Sequence, residues 1–238
     1  MVINNLIETH CHILPGIDDG AKDVETSLQM VAALKAQGAE KIIATSHYYS
    51  DSVSLENFVA KRAAAYNKLK AALPYDSPQI LLGAEVYISQ YLMNNEDITP
   101  VCIQGTRYLL LEHPFGDEFD DKTLTRIERL SYDYNVVPIL AHIERYKALM
   151  ESKKKLDLLR EMGCLTQVNI SSFDNSSILV KHRLFKYLES GRIDLIGSDC
   201  HSMGQRNPSY ETGAKAIVDK CGERTLRKLI QRANSLFE

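Results

Sequence analysis

The sequence predicts an α/β barrel: one parallel sheet curled into a ring, with helices outside it. Three observations predict it. Short apolar runs recur along the whole chain, a helical pattern or a long loop separates each from the next, and 238 residues is a normal length for one such barrel. The candidate strands, in order, are Val2–Ile7, Lys41–Thr45, Gln79–Gly83, Tyr108–Glu112, Val136–Ala141, Leu165–Asn169 and Asp194–Ser198. Between the first two, Val24, Leu28, Val31 and Leu34 recur at helical spacing within Asp23–Gln37, and Gly38 offers a stop. Leu55–Leu73, Asp121–Tyr134, Lys153–Met162, Ile178–Glu189 and Pro208–Lys220 carry the same pattern, and Glu223–Ser235 closes the chain with a last helix. Right-handed crossovers can close seven such strands into a barrel. No linker, low-complexity segment or internal repeat interrupts the alternation, so a single domain over residues 1–238 is expected. An open doubly wound sheet fits the same alternation, but no GxGxxG or Walker sequence is present and no nucleotide cofactor is expected.

Composition narrows the function classes. Apolar residues make up 45% of the chain, enough for a large core, and the formal net charge is −3 with no long basic run. Nucleic acid is therefore disfavoured as a partner, since phosphate-backbone binding needs concentrated positive charge. The N-terminal stretch reaches a histidine pair too soon for a signal peptide's apolar region, and no run is long and apolar enough to span a bilayer. A soluble, cytoplasmic protein without membrane insertion is expected. Cys11, Cys102, Cys164, Cys200 and Cys221 are scattered and odd in number, which argues against a disulfide framework or a structural zinc site.

The ionisable residues fall at the ends of the strands. His10 and His12 follow the first, His47 the second and Glu85 the third; Glu112 ends the fourth, His142 follows the fifth, and Asp199 and His201 follow the seventh. In a parallel barrel these ends share one rim, where such folds place their active sites. The His-x-His pair and the Asp199/His201 pair each put two side chains on one side of an extended chain. Imidazoles and carboxylates converging in this number suit divalent Mn, Fe or Zn. Five of the seven histidines join this pattern; His113 and His182 do not, and are read as ordinary hydrogen-bonded residues. Asp18 and Asp19 lie in a turn, one suited to shaping it and one to reaching the metals. Arg145 and Arg206 lie close in sequence to His142 and His201, and guanidinium groups beside a metal cluster suit a phosphoryl dianion. Cys200-x5-Arg206 and Cys221-x5-Arg227 match the loop of cysteine-dependent phosphatases. Neither has the glycine-rich cradle that thiolate chemistry needs.

Taken in order, ETHCHILPGIDDGAKDVETSL, ATSHYY, GAEVYI, LLLEHPF, AHIERY, VNISSF and IGSDCHS resemble the motifs of the PHP (polymerase and histidinol phosphatase) superfamily. GIDDGAKD and AHIERY resemble its CpsB/CapC branch, bacterial capsule-associated protein-tyrosine phosphatases. The resemblance covers nearly the whole chain. It implies a distorted, TIM-like (β/α)7 barrel and a site for three divalent cations, usually Mn2+. It also implies a substrate, the phosphotyrosine-bearing tail of a bacterial tyrosine kinase that controls polysaccharide export. By position, His10, His12, Glu85 and Asp199 would hold one ion; Glu85, Glu112 and His142 a second, with Glu85 bridging; Asp19, His47 and His201 a third. Arg145 and Arg206 match the phosphate-binding arginines, and Asp199 is placed with them as catalytic as well as a ligand. Ser46 and Ile143 stand where proline is usual, without removing a ligand. The chemistry implied is hydrolysis by water activated on the ions, without a covalent phosphoenzyme. Rival readings are a phosphatase of small esters such as histidinol phosphate, and a non-catalytic metal-dependent regulator. An amidohydrolase-type barrel would want a carboxylated lysine or further histidines that have no place in this sequence.

Overall fold

The computed structural model describes residues 2–116 and 118–237. Its parallel strands are β1 (Leu6–Cys11), β2 (Ala39–Ala44), β3 (His47–Tyr48), β4 (Gln79–Leu82), β5 (Glu85–Tyr87), β6 (Tyr108–Glu112), β7 (Val137–Leu140), β8 (Leu165–Asn169) and β9 (Leu195–Gly197). They form a three-stranded sheet β1-β2-β4 and a six-stranded sheet β3-β5-β6-β7-β8-β9. β3 continues β2 after a two-residue break, and β5 continues β4 in the same way, so the nine segments occupy seven staves. The ring closes between β9 and β1: Cys11 bridges Cys200 in parallel, the amide of His12 donates to the Cys200 carbonyl at 2.9 Å, and that of Asp199 donates to the His10 carbonyl at 2.7 Å. The fold is thus the expected distorted (β/α)7 barrel, with breaks in two staves.

Helices α1 (Val24–Ala36), α2 (Leu55–Ala72), α3 (Asp121–Tyr132), α4 (Lys147–Glu151), α5 (Lys153–Glu161), α6 (Ser172–Asn175), α7 (Ile178–Glu189), α8 (Glu211–Cys221) and α9 (Glu223–Phe237) follow the strands. Their starts are encoded locally. Asp23, Ser54, Asp120 and Ser177 each accept a backbone N–H from the first turn of α1, α2, α3 and α7. Gly38, at φ +99, ends α1 where a Cβ would strike the Ile3 carbonyl at 2.3 Å. Among the described residues no helix is long and apolar enough to cross a membrane.

Side-chain alternation divides the barrel into two ends. Ile7, Ile43, Leu110, Ile139 and Leu195, from five different staves, pack together with Ala233 and Phe237 of α9. Toward the strand ends the same inward rows turn polar: Leu110 is followed by Glu112, Ile43 by Thr45 and His47, Leu195 by Gly197 and Asp199. An apolar plug thus fills one end and leaves the other to the ionisable groups.

The first strand corrects its sequence-based bounds. Val2 is exposed and Asn5 takes a left-handed φ of 57°, so the chain turns before entering β1 at Leu6. His10 therefore lies inside the strand rather than after it. A register irregularity between Glu8 and Cys11 brings both histidines to the interior side.

Candidate metal centre

The site is built from pieces of six staves. Strand pairing sets His47 directly beside Glu85, and Tyr87 beside Glu112. Glu85, 1% exposed, is the hub. Its Oε1 lies 2.7 Å from His142 Nε2, and its Oε2 lies 3.2 Å from His10 Nε2, 3.3 Å from His12 Nε2 and 3.2 Å from His47 Nδ1. Asp199 Oδ1 lies 3.4 Å from His10 Nε2. Asp19 Oδ1 faces His47 Nε2 at 3.4 Å and His201 Nε2 at 3.3 Å. Glu112 approaches His142 Nε2 at 3.6 Å and His47 Nδ1 at 3.9 Å.

Three sets of ligand atoms lie within 4.8 Å of one another: His10, His12, Glu85 and Asp199; His12, Asp19, His47 and His201; and His47, Glu85 and Glu112. The first matches the set the resemblance implies. The second adds His12 to Asp19, His47 and His201. The third has His47 where His142 was expected, although His142 still reaches both Glu85 and Glu112.

These residues fit a cation cluster on three physical grounds. First, ligand atoms converge: the Nε2 atoms of His10 and His12 face each other at 3.3 Å, and Glu85 Oε2, His47 Nδ1 and His201 Nε2 are buried without a hydrogen-bond partner among the described residues. Second, the far ring nitrogens of three histidines are held from behind. His12 Nδ1 meets Asp18 Oδ2 at 2.9 Å, His10 Nδ1 meets Gln167 Oε1 at 3.3 Å, and His201 Nδ1 meets the Asp199 carbonyl at 3.0 Å, which aims each Nε2 at the centre. Third, the carboxylates demand positive charge. Burial opposes protonation of His12, yet its ion pairs with Asp18 and Glu85 hold it up at about 10. Burial and the neighbouring Glu85 charge push Glu112 up to about 8. Burial and the His12 charge hold His201 down at about 4, leaving it neutral and free to ligate.

Backbone strain marks the same place. His142 and Asp199, neither of them glycine, have φ of 32° and 53°. Two glycines let chains approach: a Cβ on Gly20 would lie 2.3 Å from the His12 carbonyl oxygen, and one on Gly197 would lie 2.8 Å from His10 Cβ.

The two arginines grip Asp199 from either side. Arg145 Nη2 reaches Oδ2 at 2.5 Å and Arg206 Nη2 reaches Oδ1 at 2.7 Å, while Arg206 Nη1 lies 3.7 Å from Asp19. Burial would raise the Asp199 carboxyl, but His10 and Arg145 hold it below the usual carboxylate range. Both guanidinium groups stay about a third exposed, at 36% and 38%, so each has a face open to a ligand.

Sequence reasoning missed the residues that hold the ligands in place. Gln167 Oε1 also accepts the His142 amide at 2.7 Å, Asn169 Nδ2 donates to Asp199 Oδ2 at 2.9 Å, Glu144 accepts from the Asn169 amide at 3.0 Å, and Glu8 accepts from the amides of His10 and Ser198 at 3.0 Å. A polar residue inside an apolar strand, as in LIETHC or LTQVN, was the available signal. Of the two acids of the turn, Asp18 accepts from His12 and from the amides of Gly20 and His47, and Asp19 faces the histidines. His113 packs on Phe119 with ring centroids 4.1 Å apart, and His182 lies exposed on α7. Cys200 is fully buried in the seam where β9 meets β1, and Cys221 is half-buried on α8. Neither offers a nucleophile at a phosphate cradle.

Comparisons with known proteins agree with this geometry. The family described as "Capsular polysaccharide synthesis, CpsB/CapC" matches residues 6–237. The tyrosine-protein phosphatase YwqE of Bacillus subtilis (strain 168) is 32% identical over 240 residues, covering 98% of this chain and 91% of that protein. The tyrosine-protein phosphatase CpsB of Streptococcus agalactiae is 28% identical, covering 98% and 95%. Solved structures of YwqE from Bacillus subtilis and CpsB from Streptococcus pneumoniae, described as unique metal-dependent tyrosine phosphatases, include a chain that matches with a TM-score of 0.82 at 26% identity, over 97% of this chain and 94% of that one. The phosphotriesterase homology protein of Escherichia coli shares the fold, with a TM-score of 0.59 at 10% identity. Family match, relatives and fold agree over almost the whole length: the chain belongs to the CpsB/CapC family.

Proposed function

We propose that this chain is a metal-dependent protein-tyrosine phosphatase. It acts as one cytoplasmic domain and removes phosphate from the tyrosine-bearing tail of a bacterial tyrosine kinase, thereby regulating capsular or exopolysaccharide synthesis. The observation that carries the reading is the buried cluster around Glu85, whose unpaired acceptor atoms face one centre bordered by two half-open arginines. His10, His12, Asp19, His47, Glu85, Glu112, His142, Asp199 and His201 are its proposed ligands, and three divalent cations, Mn2+ before Fe or Zn, its proposed occupants. The relatives' names and the metal dependence described for the structural neighbour support the same reading.

When bound, such ions supply Lewis acidity that makes water a nucleophile near neutral pH and offsets phosphoryl charge. The chain's own groups do the rest. Arg145 and Arg206 pair with the non-bridging phosphoryl oxygens, where charge grows in the transition state. Asp199, held ionised between them, orients both guanidinium groups as an acceptor and does not serve as an acid. A phenol leaves readily, with an ordinary pKa near ~10, so its oxygen needs little help from a general acid.

Chelation is expected to abolish turnover of a phosphotyrosine peptide, and Mn2+ to restore it; full activity after exhaustive chelation would remove the metal from the reading. To act as ligands, His12 and Glu112 would each give up a proton. His12 is held up at about 10 and Glu112 at about 8, so metal affinity should rise with pH through both values. Calorimetry in buffers of different ionisation enthalpy reads the released protons directly. Cys200→Ser is expected to keep most turnover. If it loses turnover with its metal content intact, the thiolate mechanism returns.

A further inference from the structure

A phosphotyrosine needs more than a phosphate site. One oxygen joins its ring to phosphorus, so the ring must rest on whatever borders the ions. Alternation along the chain at β3 supplies a candidate surface: His47 faces the site, Tyr48 packs into the core with its ring 4.8 Å from that of Phe58, and Tyr49 returns to the rim. The Tyr49 ring lies 5.5 Å from the His47 ring and 5.5 Å from the Tyr87 ring, and remains 39% exposed.

A cavity of about 340 Å³ opens beside it. Asp19 and His47 line it with Asp18 and Ser52, and Ile17, Tyr49, Val53 and Phe58 supply its apolar surface. Lys61 lines it too, and its ammonium donates to the Ile17 carbonyl at 2.8 Å, which fixes that surface. The concavity is therefore charged where the ions would sit and apolar next to them, the polarity of an aryl phosphate.

The opposite side of the cluster is built differently. Phe115 lies 5.5 Å from His142 ring to ring, but Arg145 sits over it at 5.8 Å, so it serves to support the guanidinium. Phe115 lines no part of the Tyr49 cavity.

We propose that the cavity beside Tyr49 is the aryl subsite. The substrate's ring packs on Tyr49 against Ile17 and Val53, and Tyr49 is the residue that makes the site prefer aryl over alkyl phosphates. This rests on the phosphatase reading above.

The test compares wild type, Tyr49→Ala, Val53→Trp and Phe115→Ala, all loaded with Mn2+. The first readout is the ratio of kcat/KM for a phosphotyrosine peptide to that for glycerol phosphate. The second is calorimetric binding of phenylphosphonate and of methylphosphonate. Tyr49→Ala and Val53→Trp should each lower the ratio by about tenfold or more, one removing the platform and the other filling the cavity. The preference for phenylphosphonate should fall in step, while Phe115→Ala leaves both ratios as in wild type. A ratio that falls in Phe115→Ala and in neither of the others puts the ring on the opposite wall and overturns the proposal. Equal losses on both substrates in Tyr49→Ala, with Val53→Trp unaltered, also overturn it, because Tyr49 then only shapes His47. If wild type hydrolyses neither ester yet prefers phenylphosphonate through Tyr49, the aryl subsite stands and the phosphatase reading fails.

Discussion

Glu85→Gln is expected to lower kcat by at least about three decades, equivalent to about 4 kcal/mol of transition-state stabilisation, and to lower bound metal in the same samples. The reason is its position. Four imidazole nitrogens, from His142, His10, His47 and His12, lie 2.7 to 3.3 Å from its two oxygens. A carboxylate there can bridge cations and offset their mutual repulsion. An amide of the same shape has one oxygen, no charge, and an NH2 group that must point at a lone pair or an ion. Glu112→Gln should cost less, since Glu112 lies farther from its imidazoles, at 3.6 and 3.9 Å. Metal content by elemental analysis, with kinetics on a phosphotyrosine peptide, separates loss of ions from loss of chemistry. A Glu85→Gln protein that keeps full metal and near wild-type kcat would show that Glu85 bridges nothing.

Arg206→Ala and Arg145→Ala should each lower kcat/KM by one to three decades, about 1.5–4 kcal/mol, because their pairing with the phosphoryl group strengthens as charge builds. Both arginines bind Asp199 rather than merely standing near the ligands, at 2.7 and 2.5 Å. Metal content should nevertheless hold, since removing a guanidinium removes a competing cation from that carboxylate. Lysine at either position should rescue only part of the loss, because a point charge replaces a planar fork. If KM alone rises, the arginine docks the ground-state substrate only. Wild-type kinetics in both alanine variants would show that these side chains pair with Asp199 alone and not with the phosphoryl group.

Most of the architecture was legible because each level of the sequence repeats the same message. The runs at Tyr108–Glu112 and Leu165–Asn169 are strands with the bounds their apolar pattern gives, and Ile178–Glu189 is a helix between Ser177 and Gly191 as its spacing implies. The failures lie where local pattern does not carry the cause. Val2 and Ile3 look like strand, but the Asn4–Asn5 turn lies outside apolar periodicity. The breaks at Thr45–Ser46 and Gly83–Ala84, which divide β2 from β3 and β4 from β5, leave no mark in the apolar pattern. The short helices α4 and α6 after β7 and β8 were missed because they are too brief for a helical period to show.

The site divides in the same way. By itself the sequence determined the inventory: which imidazoles, carboxylates and guanidinium groups leave the strands, and hence that they share a rim. It determined this because strand alternation and strand-end position are local properties, readable one element at a time. Only the tertiary structure decided how the inventory is shared. It made Glu85 the hub, set His12 and His47 between groups, gave His10 and His12 their partners Gln167 and Asp18, and closed both arginines on Asp199. Those relations join residues as far apart as Glu8 and Ser198. They depend on ångström-scale distances across the barrel, which stave register, the seam at Cys11 and Cys200, and the strained backbone at His142 and Asp199 fix together.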